Sequence, residues 1–188
     1  MNKDSFLKQF DNLPEHFAIQ AEARAALHNG LNFPTTKNER WKYTRVNTII
    51  DATYAQNQME LSDIDSFKIH KDWKYLTFIN GKFSEQWSDQ VPDGVEFSSL
   101  SNISDSDKGT VLSKMGTLFN LKQDAFPSLN MAYFLDGAYI KVKRNARIET
   151  SIVILNISLG ESQAINARNL IHVEQGAEVK FVHQFEGQ

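Results

Sequence analysis

The sequence predicts a mainly β fold preceded by α-helices. From Asp136 onward, runs of β-forming residues follow one another with no helical pattern between them. Residues 1–30 instead carry apolar side chains at helical spacing, and their second half is rich in alanine. Strands in such close succession are typical of a sandwich, a barrel or a β-solenoid, and the pattern alone does not choose among these three.

Two helices are predicted within residues 1–30. Phe6, Leu7 and Phe10 share one face of the first helix. The second helix is expected to hold Pro14 in its first turn, where proline is tolerated, and to end at Asn29-Gly30. The apolar face of this second helix is predicted to contain Phe17, Ala21, Ala25 and Leu27.

The middle of the chain is predicted to contain a β-hairpin, a linker and further short elements. A polar region from about Ala55 to Asp72 lacks strong periodicity. Lys74–Asn80 is rich in β-forming residues, and Asn80-Gly81 is a strong signal for a hairpin turn before Lys82-Phe83. Residues 101–109 are rich in turn-forming residues and are predicted to be a linker. The remaining predictions are a strand over Gly94–Leu100, a helix over Val111–Leu121 and a short turn or helix over Ser128–Phe134.

Four strands are predicted after Asp136. Ile152–Leu155 is continuously apolar, which indicates a strand covered on both faces. In the last strand, alternate residues from Val179 to Phe185 share one face. These patterns divide the chain into a helical and mixed α/β region, residues 1–135, and a strand-rich region, residues 136–188. The predicted strands are Ala138–Lys143, Ser151–Ile157, Ala164–Glu174 and Glu178–Phe185.

Composition excludes several kinds of function. The chain of 188 residues has a net charge of -3 and no cysteine, so it cannot form a disulfide or supply a thiolate nucleophile or ligand. The acidic balance gives no electrostatic reason to expect nucleic acid or an anionic membrane as a partner. No secretory signal is visible, and no apolar run approaches the roughly 20 residues that span a bilayer. We therefore expect a cytoplasmic protein.

Motifs for catalysis and metal binding are missing from the sequence. Gly81-Lys82 is followed by Phe83 rather than by serine or threonine, and no G-x-G-x-x-G or G-x-S-x-G occurs. His172 and His183 lie on separate predicted strands that could be neighbours in a sheet, but two histidines leave a metal site incomplete. We predict no catalytic residue and no metal ligand, and the sequence leaves cofactor-binding residues undetermined. The paired carboxylates Asp63 with Asp65 and Asp105 with Asp107 are interpreted as solvated or capping groups.

The densest cluster of charged and aromatic residues lies between Lys37 and Arg45. In isolation this pattern is typical of a site for single-stranded nucleic acid, where aromatic rings stack on bases and cations follow phosphates. The favoured interpretation is that Trp41 and Tyr43 anchor the segment on the core and leave the cations solvated. The cluster consists of Lys37, Arg40, Trp41, Lys42, Tyr43 and Arg45.

Four stretches of the sequence, called the signature stretches below, carry the motifs of one known family. Pro34–Thr44 reads PTTKNERWKYT and resembles P-x-x-K-x-E-x-W-K-Y-T, the N-terminal signature of the SufD family of the Suf iron–sulfur cluster assembly machinery. Phe78–Phe83, FINGKF, resembles its F-x-N-G-x-[FL] strand and turn. Leu129–Ala138 and Arg168–Ala177 resemble its L-N-x-A-F-x-x-D-G-A and R-N-x-I-x-V-x-x-G-A elements. Because the four occur in the family's order over nearly the whole chain, the match is specific.

The resemblance implies a fold, a function and partners. It implies that residues 136–188 are the first coils of a right-handed parallel β-helix that follows an α-helical and α+β region, residues 1–135. It implies a non-catalytic scaffold subunit that acts with SufB and with the ATPase SufC, and a homodimer within the family is a further implied partner. It implies no cofactor bound by this segment itself, since the whole complex assembles the cluster, and it leaves flavin binding open.

The resemblance also implies that the chain is a fragment. Members of the family are longer, and their further coils and C-terminal helical segment hold the SufC-docking and cluster-assembly residues. His172 and His183 therefore inherit no role in cluster assembly. The alternative function, from a different class, is a β-solenoid carbohydrate-active enzyme, which would need acidic or basic residues stacked on neighbouring coils.

Overall fold

The computed structural model describes residues 2–55 and 60–187. Residues 56–59, within the predicted polar region, lie outside the described residues. The helices are α1 Lys3–Lys8, α2 Ala18–His28, α3 Asn47–Ile50, α4 Asp105–Lys114 and α5 Ala125–Tyr133. The strands are β1 Lys74–Ile79, β2 Lys82–Phe83, β3 Val95–Ser99, β4 Ala138–Val142, β5 Arg147–Ser158, β6 Leu170–Val173 and β7 Glu178–Gly187.

The strands form two mixed sheets. In the first sheet the order is β2-β1-β5-β7, where β1, β5 and β7 run parallel and β2 is antiparallel to β1. In the second sheet the order is β3-β4-β6, where β4 and β6 run parallel and β3 is antiparallel to β4. The described residues therefore have a mixed α/β architecture, with the helices mainly before the strand-rich region.

The two sheets are connected by a strand–turn–strand unit that occurs twice. The unit β4–turn–β5 crosses from the second sheet to the first, and β6–turn–β7 then crosses in the same way. Because β6 pairs parallel with β4 and β7 pairs parallel with β5, the second unit stacks on the first. Equivalent places in the two units are 31 residues apart in sequence, as two hydrogen-bonded pairs show: Ala138 with Asn169, and Arg144 with Gln175.

The turns of the two units stack at a tight corner. Asn145 and Gly176 both adopt left-handed backbone conformations, with φ of 58° and 74°. The Asn145 amide donates a hydrogen bond of 3.1 Å to the Gln175 carbonyl, and the Arg144 amide donates one of 2.9 Å to the Glu174 carboxylate. A Cβ atom on Gly176 would lie 2.3 Å from Asn145 Oδ1, so the corner requires glycine at this position.

We expect Gly176→Ala to lower the free energy of unfolding by about 2 kcal/mol, because a side chain disfavours the left-handed conformation and displaces Asn145. Urea unfolding of the whole chain measures this loss. Gly30→Ala is the matched control, since nothing lies within 4 Å of its added Cβ, and it should leave the midpoint nearly unchanged. Equal midpoints for the two variants would contradict the stacked corner.

Both faces of β5 are buried, as its apolar run predicts. Ile152 and Ile154 pack against the second sheet, in a cluster with Ile140 and Val142. The alternate β5 residues face the other way, onto a second cluster. That outer cluster contains Val153, Leu155, Ile64, Tyr75 and Ile157, with Phe67, Trp73 and Trp87 at its edge. The clean alternation within β5 confirms the predicted burial on both faces.

The helical region packs around buried aromatic residues. Phe6, Leu7 and Phe10 are buried on one face as predicted, although Phe10 lies just beyond the end of α1. The expectation that α2 begins near Pro14 is wrong, because Phe17 is its N-cap and the helix begins at Ala18.

The predicted apolar face of α2 is only partly correct. Its buried residues are Gln20, Ala23 and Leu27, whereas Ala21 and Ala25 are exposed. Gln20 determines this rotation: its Nε2 donates a hydrogen bond of 3.1 Å to the Phe134 carbonyl beyond α5. A buried glutamine needs such partners, so a bond to a distant element outweighs the alanine pattern.

The predicted linker over residues 101–109 is wrong. Ser104 is the N-cap of α4, and its Oγ accepts a hydrogen bond from the Asp107 amide. Serine followed by acidic residues in the first turn is a helix start, because it satisfies free amides and complements the helix dipole. The helix predicted over Val111–Leu121 therefore begins earlier and ends before Gly116, whose φ is 80°. Leu118, which lies within that predicted helix, is 93% exposed and outside α4.

Strand bounds in the last third also differ from the predictions. β5 is longer than predicted at both ends, and β7 continues to Gly187. The strand predicted over Ala164–Glu174 is reduced to β6. The residues before β6 bond to side chains instead: the Ala167 carbonyl accepts a hydrogen bond of 2.8 Å from Asn130 Nδ2.

Tyr133 provides a test of packing in the helical region. Its side chain is buried, its hydroxyl has no partner among the described residues, and burial raises its pKa to about 12. We expect Tyr133→Phe to raise the free energy of unfolding by about 1 kcal/mol at neutral pH, because the unpaired hydroxyl is removed. The unfolded chain loses this proton at lower pH than the folded one, so tyrosine costs stability as pH rises from about 10 to 12.

Thermal unfolding at pH 7 and pH 10.5 measures both effects of Tyr133→Phe. The advantage of phenylalanine should be larger at pH 10.5, because only the tyrosine protein loses stability through this group. Tyr43→Phe is the matched control, since Tyr43 is 92% exposed. A Tyr133→Phe protein that melts below the wild type at both pH values would show that the hydroxyl is bonded.

Candidate functional site

Three of the signature stretches meet around Asp136. This carboxylate is 4% exposed and accepts hydrogen bonds from the backbone amides of Phe83 (3.1 Å), Ser101 (3.0 Å) and Gly137 (2.7 Å). The Ser99 hydroxyl lies 2.7 and 2.8 Å from its two oxygens. Asp136 therefore joins β2, the end of β3 and the start of β4, and we call this place the motif junction.

Gly137 allows the chain segments at the motif junction to approach closely. A Cβ atom on Gly137 would lie 1.5 Å from the carbonyl oxygen of Arg168. The Gly137 carbonyl accepts a hydrogen bond of 2.8 Å from the Leu100 amide, and the Ala138 amide donates one of 2.8 Å to Asn169 Oδ1. Glycine is needed here because two backbones touch, and not because of an unusual φ.

Arg168 attaches the segment before β6 to α5. Its guanidinium donates a hydrogen bond of 2.7 Å to Asn130 Oδ1 and lies 5.1 Å from the ring centre of Phe119. Burial lowers the pKa of Arg168 to about 10, so the side chain stays charged at neutral pH. The Nδ2 group of the same asparagine donates a hydrogen bond to the Ala167 carbonyl, so Asn130 holds two consecutive residues of this segment.

Asn80 attaches the predicted hairpin to the end of β5. Asn80 and Gly81 have φ of 47° and 77°, as a two-residue hairpin turn requires. The Asn80 amide donates a hydrogen bond of 2.9 Å to the Ile157 carbonyl. Its side chain accepts one of 2.8 Å from the Leu159 amide and donates one of 3.1 Å to the Leu159 carbonyl.

The motif junction has the bonding of a structural site. Donors from the chain itself surround the oxygens of Asp136, and the side chains of Asn80, Asn130 and Arg168 bond to backbone or to each other. A general acid or base, or a metal ligand, needs an atom that can reach a substrate or an ion. These bonds indicate that the junction holds segments of the fold together.

The structure separates the histidines that the sequence could place side by side. His172 lies on β6 in the second sheet, and its Nδ1 has no partner among the described residues. His183 lies on β7 in the first sheet and is exposed. Within residues 2–55 and 60–187, no group of three or more histidine, cysteine, aspartate or glutamate side chains could hold a metal ion.

The paired carboxylates behave as turn and cap residues. Asp63 accepts hydrogen bonds from the backbone amides of Asp65 (3.1 Å) and Ser66 (3.2 Å), which hold its pKa below the ordinary value. Asp105 and Asp107 lie in the first turn of α4, where a negative charge is favourable.

The basic and aromatic cluster is divided by the structure. Trp41 stacks on Phe126 of α5, with ring centres 5.2 Å apart, as predicted for an anchor. Tyr43 is 92% exposed, so its predicted anchoring role is wrong. We call the exposed members of this cluster the basic surface: Lys37, Arg40, Lys42, Tyr43 and Arg45.

Comparison with known families identifies the chain. A family model described as the SufBD protein N-terminal region matches residues 16–154, which include the first three signature stretches. The chain belongs to this SufBD family. The motif junction links the matched region to the fourth stretch, since Gly137 meets Arg168 and Ala138 bonds Asn169.

One curated SufBD relative aligns along almost the entire chain. It is the iron–sulfur cluster assembly protein SufD of Escherichia coli (strain K12), 24% identical over 197 residues. The alignment covers 98% of this chain and 44% of the relative, so the chain spans less than half of the relative's length. Among the described residues, no helix is both long and apolar enough to cross a membrane.

The signature stretches are visible in the sequence, whereas the roles of Asp136 and Gly137 are not. Their partners Phe83 and Arg168 are far away in sequence, so no local pattern reports the contacts. The sequence signal for these roles was the Asp-Gly pair directly before a predicted strand. Aspartate accepts hydrogen bonds from nearby backbone amides, and glycine permits close approach of another backbone.

Proposed function

We propose that this chain contributes the N-terminal region of a non-catalytic scaffold subunit in iron–sulfur cluster assembly. The observation that carries the proposal is the match of residues 16–154 to the SufBD protein N-terminal region. The alignment of 98% of the chain with a SufD protein named for iron–sulfur cluster assembly supports the same function. The partners in this proposal are SufB and the ATPase SufC.

We also propose that residues 136–188 form the first coils of a right-handed parallel β-helix. The proposal is supported by the two stacked strand–turn–strand units and by the parallel pairing of both their strands. A coil of this kind packs apolar side chains between its walls, and Ile140, Ile152 and Ile154 occupy that position. In the first of the two units most residues of β4 and β5 are buried, as a solenoid requires.

A scaffold role agrees with the chemistry of the motif junction. Asp136 and Arg168 are the charged side chains of the junction, and each bonds to groups of the chain itself. In this proposal the ATPase supplies nucleotide hydrolysis, and the whole complex, with the scaffold as one part, assembles the cluster. A scaffold contributes surfaces that hold partners in position, so its defining property is stable association.

Affinity purification from the native organism tests the proposed function. The protein is tagged at its own chromosomal locus, so that it is produced at its natural length and level. We expect SufB and SufC to copurify with the tagged protein in reproducible amounts and to remain associated with it through gel filtration. A tagged cytosolic protein of similar abundance is the control. Recovery of the tagged protein without either partner would contradict the proposed function.

A further inference from the structure

The basic surface is held in a defined shape by the segment that carries it. The Asn38 side chain accepts a hydrogen bond of 2.9 Å from the Thr35 amide, and the Asn38 carbonyl accepts one of 2.8 Å from the Trp41 amide. The Thr44 amide then donates a bond of 2.9 Å to the Trp41 carbonyl. With Trp41 stacked on the core and Val46 buried, the segment is anchored at two points. Little ordering is therefore needed before a partner binds.

The positive charges of the basic surface are not neutralised within the described part of the chain. None of Lys37, Arg40, Lys42 and Arg45 has a carboxylate within ion-pair distance there, and all four are exposed. Residues 37–45 contain four basic residues and one acidic residue, although the whole chain has a net charge of -3. The basic surface is thus a local positive region on an otherwise acidic molecule.

Tyr43 lies among these cations as a large exposed ring. It is 92% exposed, and the Lys42 ammonium lies 5.6 Å from its ring centre. Tyrosine and arginine are among the residue types enriched at the centres of protein interfaces. The tyrosine ring offers a large apolar area and a polar end. An exposed ring on a pre-ordered segment is available for contact with another molecule.

We propose that the basic surface docks an acidic segment of a partner protein, with Tyr43 packing against an apolar side chain of that segment. Complementary charge favours this occupant, since carboxylates would pair with the four exposed cations. Single-stranded nucleic acid fits less well, because stacking along a strand needs several free rings and the Trp41 ring already stacks on Phe126. The acidic remainder of the chain also repels an extended polyanion.

Binding of a defined acidic peptide tests whether the basic surface is the site that such a segment occupies. The probe is a fluorescein-labelled, glutamate-rich peptide with one central leucine, and the same peptide with glutamine for every glutamate is the neutral probe. We expect the quadruple variant Lys37→Gln, Arg40→Gln, Lys42→Gln and Arg45→Gln to bind the acidic probe at least about tenfold more weakly than the wild type. We expect Tyr43→Ala to weaken binding severalfold without changing the salt dependence.

A matched quadruple variant distinguishes the basic surface from a general charge effect. Lys71→Gln, Lys108→Gln, Lys114→Gln and Lys122→Gln remove the same charge from exposed lysines elsewhere, and this variant should bind as the wild type does. Thermal unfolding of each variant confirms that it is folded. Equal binding by both quadruple variants, or equal binding of the acidic and neutral probes by the wild type, would overturn the proposal.

Photo-crosslinking in the cell tests the chemistry of the natural partner. Tyr43→p-benzoylphenylalanine is introduced into the chromosomal protein, and the crosslinked peptide is identified by mass spectrometry. We expect a protein segment rich in aspartate and glutamate. A crosslink to nucleic acid, to a second copy of this chain or to a non-acidic segment would overturn the proposal, and so would the lack of any crosslink. This result is independent of whether SufB and SufC copurify.

Discussion

Replacing Gly137 by alanine is expected to lower the free energy of unfolding by about 3 kcal/mol or more, at the upper end of single-substitution effects. The added Cβ would lie 1.5 Å from the Arg168 carbonyl oxygen, which belongs to the backbone and has no rotamer to change. The segment before β6 would have to move away, and the bonds of Asn130 to Arg168 and Ala167 would be disturbed with it.

Urea unfolding compares Gly137→Ala with a control in which glycine has space. Gly109 lies in α4, and nothing lies within 4 Å of an added Cβ there. We expect Gly109→Ala to raise the free energy of unfolding by about 0.5–1 kcal/mol, because alanine favours helix. The two alanine variants should therefore move the midpoint in opposite directions. A Gly137→Ala protein as stable as the wild type would show that the two backbones are not in contact.

Replacing Asp136 by alanine is expected to cost about 3 kcal/mol, because several donors, one buried and the others partly buried, lose the same acceptor. The backbone amides of Phe83, Ser101 and Gly137 and the Ser99 hydroxyl all depend on this carboxylate. Asp136→Asn retains one acceptor oxygen and should cost less than the alanine substitution. It should still cost some stability, because the NH2 group of asparagine donates and cannot accept hydrogen bonds from the remaining donors. The predicted order of stability is wild type, then asparagine, then alanine.

Chemical denaturation of the three proteins measures this order. Asp93→Ala removes an exposed carboxylate in the turn before β3 and should change the midpoint little. An Asp136→Ala protein as stable as the Asp93→Ala control would contradict the hydrogen bonding described at the motif junction.

Local signals in the sequence predicted some elements accurately. The Asn80-Gly81 hairpin was predictable because both turn residues must adopt positive φ, which few residue pairs tolerate. Burial of β5 on both faces was predictable because a continuous apolar run cannot alternate with solvent. Trp41 was correctly predicted as an anchor, since a large ring is rarely left in water.

Elements that depend on distant partners could not be predicted. The rotation of α2 follows from a bond between Gln20 and Phe134, which lie in separate elements. The linker prediction over residues 101–109 failed because turn-forming residues also start helices, and only the cap of Ser104 distinguishes the two. The motif junction joins residues that are far apart in sequence, so each stretch taken alone carries no sign of it.

The exposure of Tyr43 could not be predicted either. Trp41 and Tyr43 are separated by one residue, and both are large aromatic residues of the kind that anchor a segment on a core. The short 3₁₀ turn over Glu39–Trp41 directs the first ring to the core and leaves the second outside. This difference between two neighbouring rings separates the structural part of the first signature stretch from the part available to a partner.

The hydrogen bonds of Asp136 hold the fold together, and under the proposed scaffold function this carboxylate takes no part in cluster chemistry. The most direct measurement is cluster assembly per folded molecule, read as the activity of an iron–sulfur enzyme in cells that depend on this protein. Asp136→Asn is compared with the wild type below its unfolding temperature, with the folded amount of each determined in parallel. We predict equal activity per folded molecule. A folded Asp136→Asn protein without activity would contradict the scaffold role and would make Asp136 a participant in the reaction.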